Sequence, residues 1–206
     1  MRLVGYSLTA LGSALSLLIA APAIGQTTVE QRQTDFERRS QACVHLDGAG
    51  SSPPAQASRP LELDRLGISI EIPENYRAMA RSANFASILT PESYSYSQCM
   101  IENRVPTSID VYSVALYLSE PTSEELLNQE IRSNRRFGVK RLLESRIVGG
   151  REAFVYIHEG MYDSLVVRIN DPNRDESLVI STDISGDDEL PMQETFERVL
   201  ASLKFL

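Results

Sequence analysis

The chain has 206 residues, 42% of them hydrophobic and 23% charged, with a formal net charge of −8. That is enough chain for one domain with its own core, and the hydrophobic share is that of a folded soluble protein and not a disordered one. The acidic balance argues against nucleic acid, because phosphate recognition works through a basic surface that releases counterions.

Met1 to Ala23 has the layout of a secretory signal peptide. Arg2 supplies the charged start, Leu8 to Ile19 the apolar centre, and Ala21-Pro22-Ala23 a small-residue cleavage site. Cleavage there, or after Gly25, gives an exported chain (periplasm, extracellular space or thylakoid lumen). It would carry a net charge of −9, since the leader holds Arg2 and no acid. No cysteine follows the cleavage region, which speaks against a lipoprotein anchor. The alternative is an uncleaved anchor, because apolar character runs from Leu3 to Ile24. No second stretch could span a membrane, so no stable insertion is expected once the leader is gone.

Residues 24–60 read as an N-terminal segment and linker. Val29, Phe36 and Cys43 recur every seven residues, the mark of one narrow helical face. From Gly48 to Pro60 the chain is rich in Pro and Ser and offers little to bury. A single α+β domain is expected over 61–206.

Within it, Ile68, Ile70 and Ile72 alternate with Ser69 and Glu71, a half-buried strand ended by Pro73. Tyr76 to Ser82 reads as a short turn of helix and Phe85 to Leu89 as a strand. Tyr94-Ser95-Tyr96-Ser97-Gln98-Cys99 is a polar aromatic segment whose tyrosines either form a binding surface or pack with their hydroxyls in water. Ile109 to Leu118 is the longest β-like run.

Thr122-Ser123-Glu124-Glu125 then fits a capping box, with the Thr122 hydroxyl and the Glu125 carboxylate satisfying each other's backbone N–H groups. Leu126, Leu127 and Ile131 give that helix its buried face, Phe137 extends it, and Gly138 suits a left-handed stop. Arg132, Arg135 and Arg136 crowd its last turns, with Lys140 and Arg141 close behind. These cations either complement the helix dipole or form a docking patch for an anionic surface.

The last quarter organises the rest. A Val148-Gly149-Gly150-Arg151-Glu152 turn leads into Ala153 to His158, followed by strand-like runs Leu165 to Ile169 and Leu178 to Thr182. Met192, Phe196, Val199, Leu200 and Leu203 form one stripe of a closing helix, with Pro191 in its first turn.

Catalytic signatures are sparse. The chain has no phosphate-binding Gly loop, dinucleotide fingerprint, HExxH, GxSxG or Cys-x-x-Cys, so no cofactor is implied. Its two histidines are His45 and His158, and His158 shares a strand face with Phe154 and Tyr156. A hydrolase built on His158 would need a nucleophile and an orienting acid, and nothing nearby marks either. Asp171-Pro172-Asn173-Arg174-Asp175 begins like a calcium loop, but Glu176 replaces the required Gly and Thr182 the bidentate Glu, so it reads as a turn. Cys43 and Cys99 are expected to pair in an exported chain; two buried thiols, or a zinc site with His45 and His158, are the alternatives.

Three features resemble the PsbP-like family: Gly67 to Tyr76 (GISIEIPENY), the Val148 to Ala153 turn and strand, and the terminal helix from Phe196 ending Ser-Leu-Lys-Phe. The resemblance implies an antiparallel β-sheet flanked by helices, an α/β/α sandwich. It also implies the role usual among such proteins, which are binding or assembly factors and not enzymes. The first reading is therefore an exported, non-enzymatic binding or assembly-accessory protein with a protein partner. Its candidate surface is Tyr94, Tyr96, Arg132, Arg135 and Arg136. The alternative is a metal-binding or hydrolytic enzyme using His158 and the acidic loops.

Overall fold

A computed structural model describes residues 29–43, 46, 52–105, 113–133, 137–184 and 189–206. The proposed leader, His45, Arg135 and Arg136 lie outside them, as do Asp187 and Asp188.

The isoleucine alternation of strand β2 (Ile68–Pro73) puts Ile68, Ile70 and Ile72 on one side, each at most 1% exposed. Strand β2 pairs antiparallel with β1 (Ser58–Leu63) and, on its other side, with the two-residue β10 (Lys204–Phe205). This small sheet lies against a seven-stranded antiparallel one. In spatial order that sheet runs β3 (Arg77–Ser82), β4 (Phe85–Leu89), β5 (Ser113–Ser119), β9 (Ser177–Asp183), β8 (Asp163–Asn170), β7 (Arg151–Glu159) and β6 (Gly138–Val148).

Helix α4 (Glu189–Ser202) packs on β2, β9 and β5. Its stripe is buried as the spacing requires, with Phe196 and Val199 wholly enclosed. Beneath it lie Val155, Val167, Ile169 and Ile180, the inward residues of β7, β8 and β9. Full burial of each such side chain contributes roughly 1.5–3 kcal/mol, so this layer is the main source of stability. The residues between them point to the opposite face, where Leu127 and Ile131 of helix α3 (Glu124–Ser133) meet Phe154, Tyr156, Val166 and Val179. Helices thus flank the large sheet on both faces, an α+β sandwich.

The β6–β7 hairpin closes through Gly149 (φ +57°) and Gly150 (φ +79°), two consecutive left-handed residues of the kind a two-residue hairpin needs. Leu203 and Phe205 press on Gly149, leaving no room there for a side chain.

Local readings fail in three places, and one helix had no reading. Arg77–Ser82 is a strand, not a helical turn, because it can pair with β4 across a two-residue connection. The Ala, Met and Arg composition that favours helix is overruled by that pairing. The polar aromatic segment belongs to helix α2 (Pro91–Glu102), with Pro91 at its start and the Thr90 hydroxyl accepting the Ser93 N–H at 3.1 Å. The α3 cap is Ser123, whose hydroxyl accepts the Leu126 N–H at 3.2 Å. The neighbouring Thr122 is held instead by Asn170, which accepts its N–H at 3.2 Å and donates to its carbonyl at 2.7 Å. Leu126, expected on the buried face, is 53% exposed. Gly138 begins β6 instead of ending a helix.

The Pro- and Ser-rich stretch is also less loose than its composition suggests. Pro54 is buried, Ala55 N–H donates to Asn75 at 2.8 Å, and Arg198 donates to the Ala55 carbonyl at 2.7 Å. The Tyr76 hydroxyl donates to the Ser52 carbonyl at 3.0 Å, and the Ser52 hydroxyl bonds Glu92.

Candidate functional site

On the face of the large sheet that α3 covers, strand register lines up one row: Phe85, Tyr117, Val179, Arg168, Phe154 and Ser145. Helix α3 covers the β6–β8 part of this face. Along the same face Phe85, Tyr117, Ser119, Arg168 and Ser181 are only half-buried. Phe85 and Tyr117 meet edge to face with ring centroids 5.9 Å apart.

Arg168 is an arginine in an otherwise apolar and aromatic row. Its Nη2 donates to the Ser119 hydroxyl at 3.4 Å, while its Nε is buried without a partner. Burial pushes the Tyr156 phenol up to about 12, although the Arg168 charge pulls the other way; Tyr117 is raised by burial against the same charge. Both phenols therefore stay protonated at neutral pH and can act as donors. The nearest acid to Tyr156 is Glu130 on α3, and its carboxylate is already engaged, accepting the Val139 N–H at 3.0 Å. This explains Gly138, where a Cβ would lie 2.8 Å from Glu130 Oε1.

At one end of the same sheet the β7–β8 hairpin and the start of β6 come together. Gly138 pairs with Glu159, and Glu159 pairs with Asp163. Phe137 therefore lies beside the tip residues Met161 and Tyr162. All three are exposed, at 58%, 89% and 58%. Lys140 Nζ sits 2.9 Å from Asp163 Oδ2, pinning the hairpin tip to β6 and raising the Lys140 pKa.

The residues singled out in the sequence fall in separate places. Tyr94 and Tyr96 lie half-buried on α2 beside β3 and β4. The Tyr94 hydroxyl accepts from Gln98 at 3.1 Å, and Tyr96 packs on the cluster of Cys43, Met100 and Val105. Arg132 is exposed on α3, which packs against β6 at the opposite edge of the sheet. The tyrosines and Arg132 therefore do not form one surface.

Cys43 and Cys99 are joined by a disulfide with Cα atoms 5.9 Å apart, which removes both sulfurs from the zinc set considered above. His158 lies half-buried on β7 between Val139 and Ser164. Among the described residues no three His, Cys, Asp or Glu side chains converge as a metal site. Asp171 opens a turn: it accepts the Asn173 N–H at 2.9 Å and faces Arg151 at 2.8 Å and Arg174 at 3.8 Å. Its carboxylate is thus committed to arginines. Arg151 in turn stacks 3.5 Å over the Phe205 ring, and the Leu206 N–H donates to the Gly67 carbonyl, fixing the C-terminus on both sheets.

Arg168, Tyr117 and Ser119 escaped sequence reading. The one signal was a cation inside the run Leu165-Val166-Val167-Arg168-Ile169, on a strand with both faces largely covered.

No family model matches the chain, and no curated protein matches it. Among solved structures it is similar to a cyanobacterial PsbP from Synechocystis, with 11% identity over 77% of this chain and 96% of that one, TM-score 0.44. It is similar to the Saccharomyces cerevisiae Ran-binding protein Mog1p, with 9% identity over 72% and 95%, TM-score 0.40. It is also similar to LpqN of Mycobacterium tuberculosis, described as involved in cell envelope biogenesis, with 10% identity over 72% and 90%, TM-score 0.41.

Proposed function

We propose that this chain is an exported, non-enzymatic binding or assembly-accessory protein that docks a protein partner on the β7–β8 hairpin end of its large sheet. The observation that carries the reading is that Phe137, Met161 and Tyr162, three large and largely apolar side chains, are all exposed at the one end of the sheet where the strand register brings them. Scattered exposed apolar residues are ordinary, whereas grouped ones mark interaction sites. Aromatic residues and methionine are also the types enriched at the centres of protein interfaces. Arg132 on α3 and Arg141 on β6 stand exposed near this corner, and Arg135 and Arg136 immediately precede Phe137 in the chain. Arg132 and Arg141 supply a polar, cationic rim. The role matches the one implied by the PsbP-like resemblance. In this reading 61–206 is the binding domain, and the leader is removed near Ile24 or Gln26.

The test is retention of protein from the exported fraction of the source cell on immobilised mature chain, compared with a Met161→Ser/Tyr162→Ser double variant. Both positions are exposed, so the variant is expected to keep its unfolding midpoint. A defined protein retained by the native chain and lost by the variant supports the reading. Equal retention by both places binding elsewhere and refutes it.

A further inference from the structure

The hairpin corner leaves Arg168 unexplained. Arg146, Arg151 and Arg198 are also half-buried, and each faces a carboxylate of this chain: Glu144 and Glu197, Asp171, and Glu194. Arg168 has no ion-pair partner among the described residues, one long bond to Ser119, and a buried Nε with nothing to donate to. A half-buried guanidinium without a counter-charge is costly, and buried donors are normally satisfied. Glu130, which like Arg168 acts on Tyr156, has its carboxylate on the Val139 N–H. The strand register fixes what surrounds the charge: Val179 and Phe154 on either side, Tyr117 and Phe85 beyond Val179, and Tyr156 one row along.

We propose that Arg168, with Tyr117 and Ser119 beside it on the α3 face of the sheet, binds a carboxylate carried on a flat apolar body. The guanidinium fork matches a carboxylate in shape and in single charge. A dianion such as phosphate would be left half-neutralised in an apolar setting. The Tyr117 phenol and the Ser119 hydroxyl add donors, and the rings of Phe85 and Tyr117 offer an apolar wall. This site is separate from the hairpin corner, since Arg168 and Asp163 are five residues apart on β8, about 17 Å.

The carboxylate belongs either to a small organic acid or to an acidic side chain of a peptide, and two probes separate these sources. Benzoate represents the free acid, a blocked Glu-Phe dipeptide the side chain, and benzamide and inorganic phosphate serve as controls. The readout is the Arg168 Nε–Hε NMR signal of the native mature chain. Expected is a saturable, millimolar shift with benzoate that benzamide and phosphate do not reproduce. Arg168→Gln should abolish the benzoate-induced rise in Tm while leaving the unliganded protein at least as stable. A response to the dipeptide alone supports the carboxylate chemistry and assigns its source to a peptide. No shift with either carboxylate, or an equal shift with benzamide, overturns the proposal. Should Arg168→Gln fail to fold, the signal in the native protein still decides.

Discussion

Cutting the Cys43–Cys99 bridge tests how the N-terminal segment is held. The two cysteines are 56 residues apart. Closing a loop of that size in the unfolded chain is worth about 4 kcal/mol in the chain-entropy model. The folded state sets how much of this is lost on reduction. Cys43 is fully buried against Met100 and Val105, but helix α1 (Val29–Gln41) ahead of it leaves Phe36 44% exposed. The Ser40 hydroxyl bonds only carbonyls of its own helix. Once reduced, the segment up to Leu46 is expected to let go and recover its freedom, which offsets part of the loss. Ser52–Ala57 stays in place through Asn75, Tyr76, Glu92 and Arg198. The Cys43→Ser/Cys99→Ser variant should therefore lose less than about 4 kcal/mol and fall no more than about 15 °C in Tm. Guanidinium titration measures the first and calorimetry the second. Limited proteolysis read by mass spectrometry should cut the variant first between residues 29 and 51, with 58–206 intact. An unchanged midpoint together with an equally protected α1 would refute this account.

Other outcomes follow from single contacts. Phe196→Ala should cost about 3–5 kcal/mol in a denaturant titration, because that ring is wholly enclosed. Glu197→Ala should change stability by less than about 0.5 kcal/mol, since its side chain is 60% exposed and meets Arg146 only at 3.8 Å. Ser123→Ala should lose about 1 kcal/mol through its cap, measurable by the same titration. Burial alone would raise the Asp171 carboxyl, but the Asn173 N–H and the Arg151 guanidinium outweigh it and hold the group below its ordinary value of 3.8. The stability this contributes is fully present above the unfolded value and is lost as pH falls through the folded one. Native protein should therefore exceed Asp171→Asn at pH 6, with the gap closing as the pH drops below that ordinary value.

The strands that were legible are those whose inward residues are large and branched. Ile68-Ile70-Ile72 carries its own alternation, Ala153 to His158 and Leu178 to Thr182 are short apolar runs rich in branched and aromatic residues, and each is a strand. The α4 stripe was legible for the same reason, since five apolar side chains at helical spacing have one face to bury. Arg77–Ser82 was misread, and Pro91–Glu102 was not read as a helix, because what decides them is not local. The first is a strand only through its pairing with β4. The second is a helix whose buried positions are Ser93, Ser97 and Met100, so its covered side carries almost no hydrophobic signal. Its legible mark was the Thr90 cap with Pro91 behind it.

Site residues obey the same distinction more severely. Phe137, Met161 and Tyr162 are separated by two dozen positions, and only the β6–β7–β8 register brings them to one corner. In sequence Phe137 looked like the end of the α3 stripe. It is exposed and directly precedes β6. Arg168 shows the opposite case. Alternation on β8 places Val167 and Ile169 in the main core, so Arg168 must face α3, where Leu127 and Ile131 already occupy the cover over β6 to β8. A charge in that position has water on one side and an apolar layer on the other, and every carboxylate that could have met it is bonded elsewhere or lies beyond ion-pair reach among the described residues. Composition counts Arg168 as one cation among 20 in an acidic chain. The fold makes it different from Arg146, Arg151 and Arg198 by leaving its counter-charge to be supplied from outside.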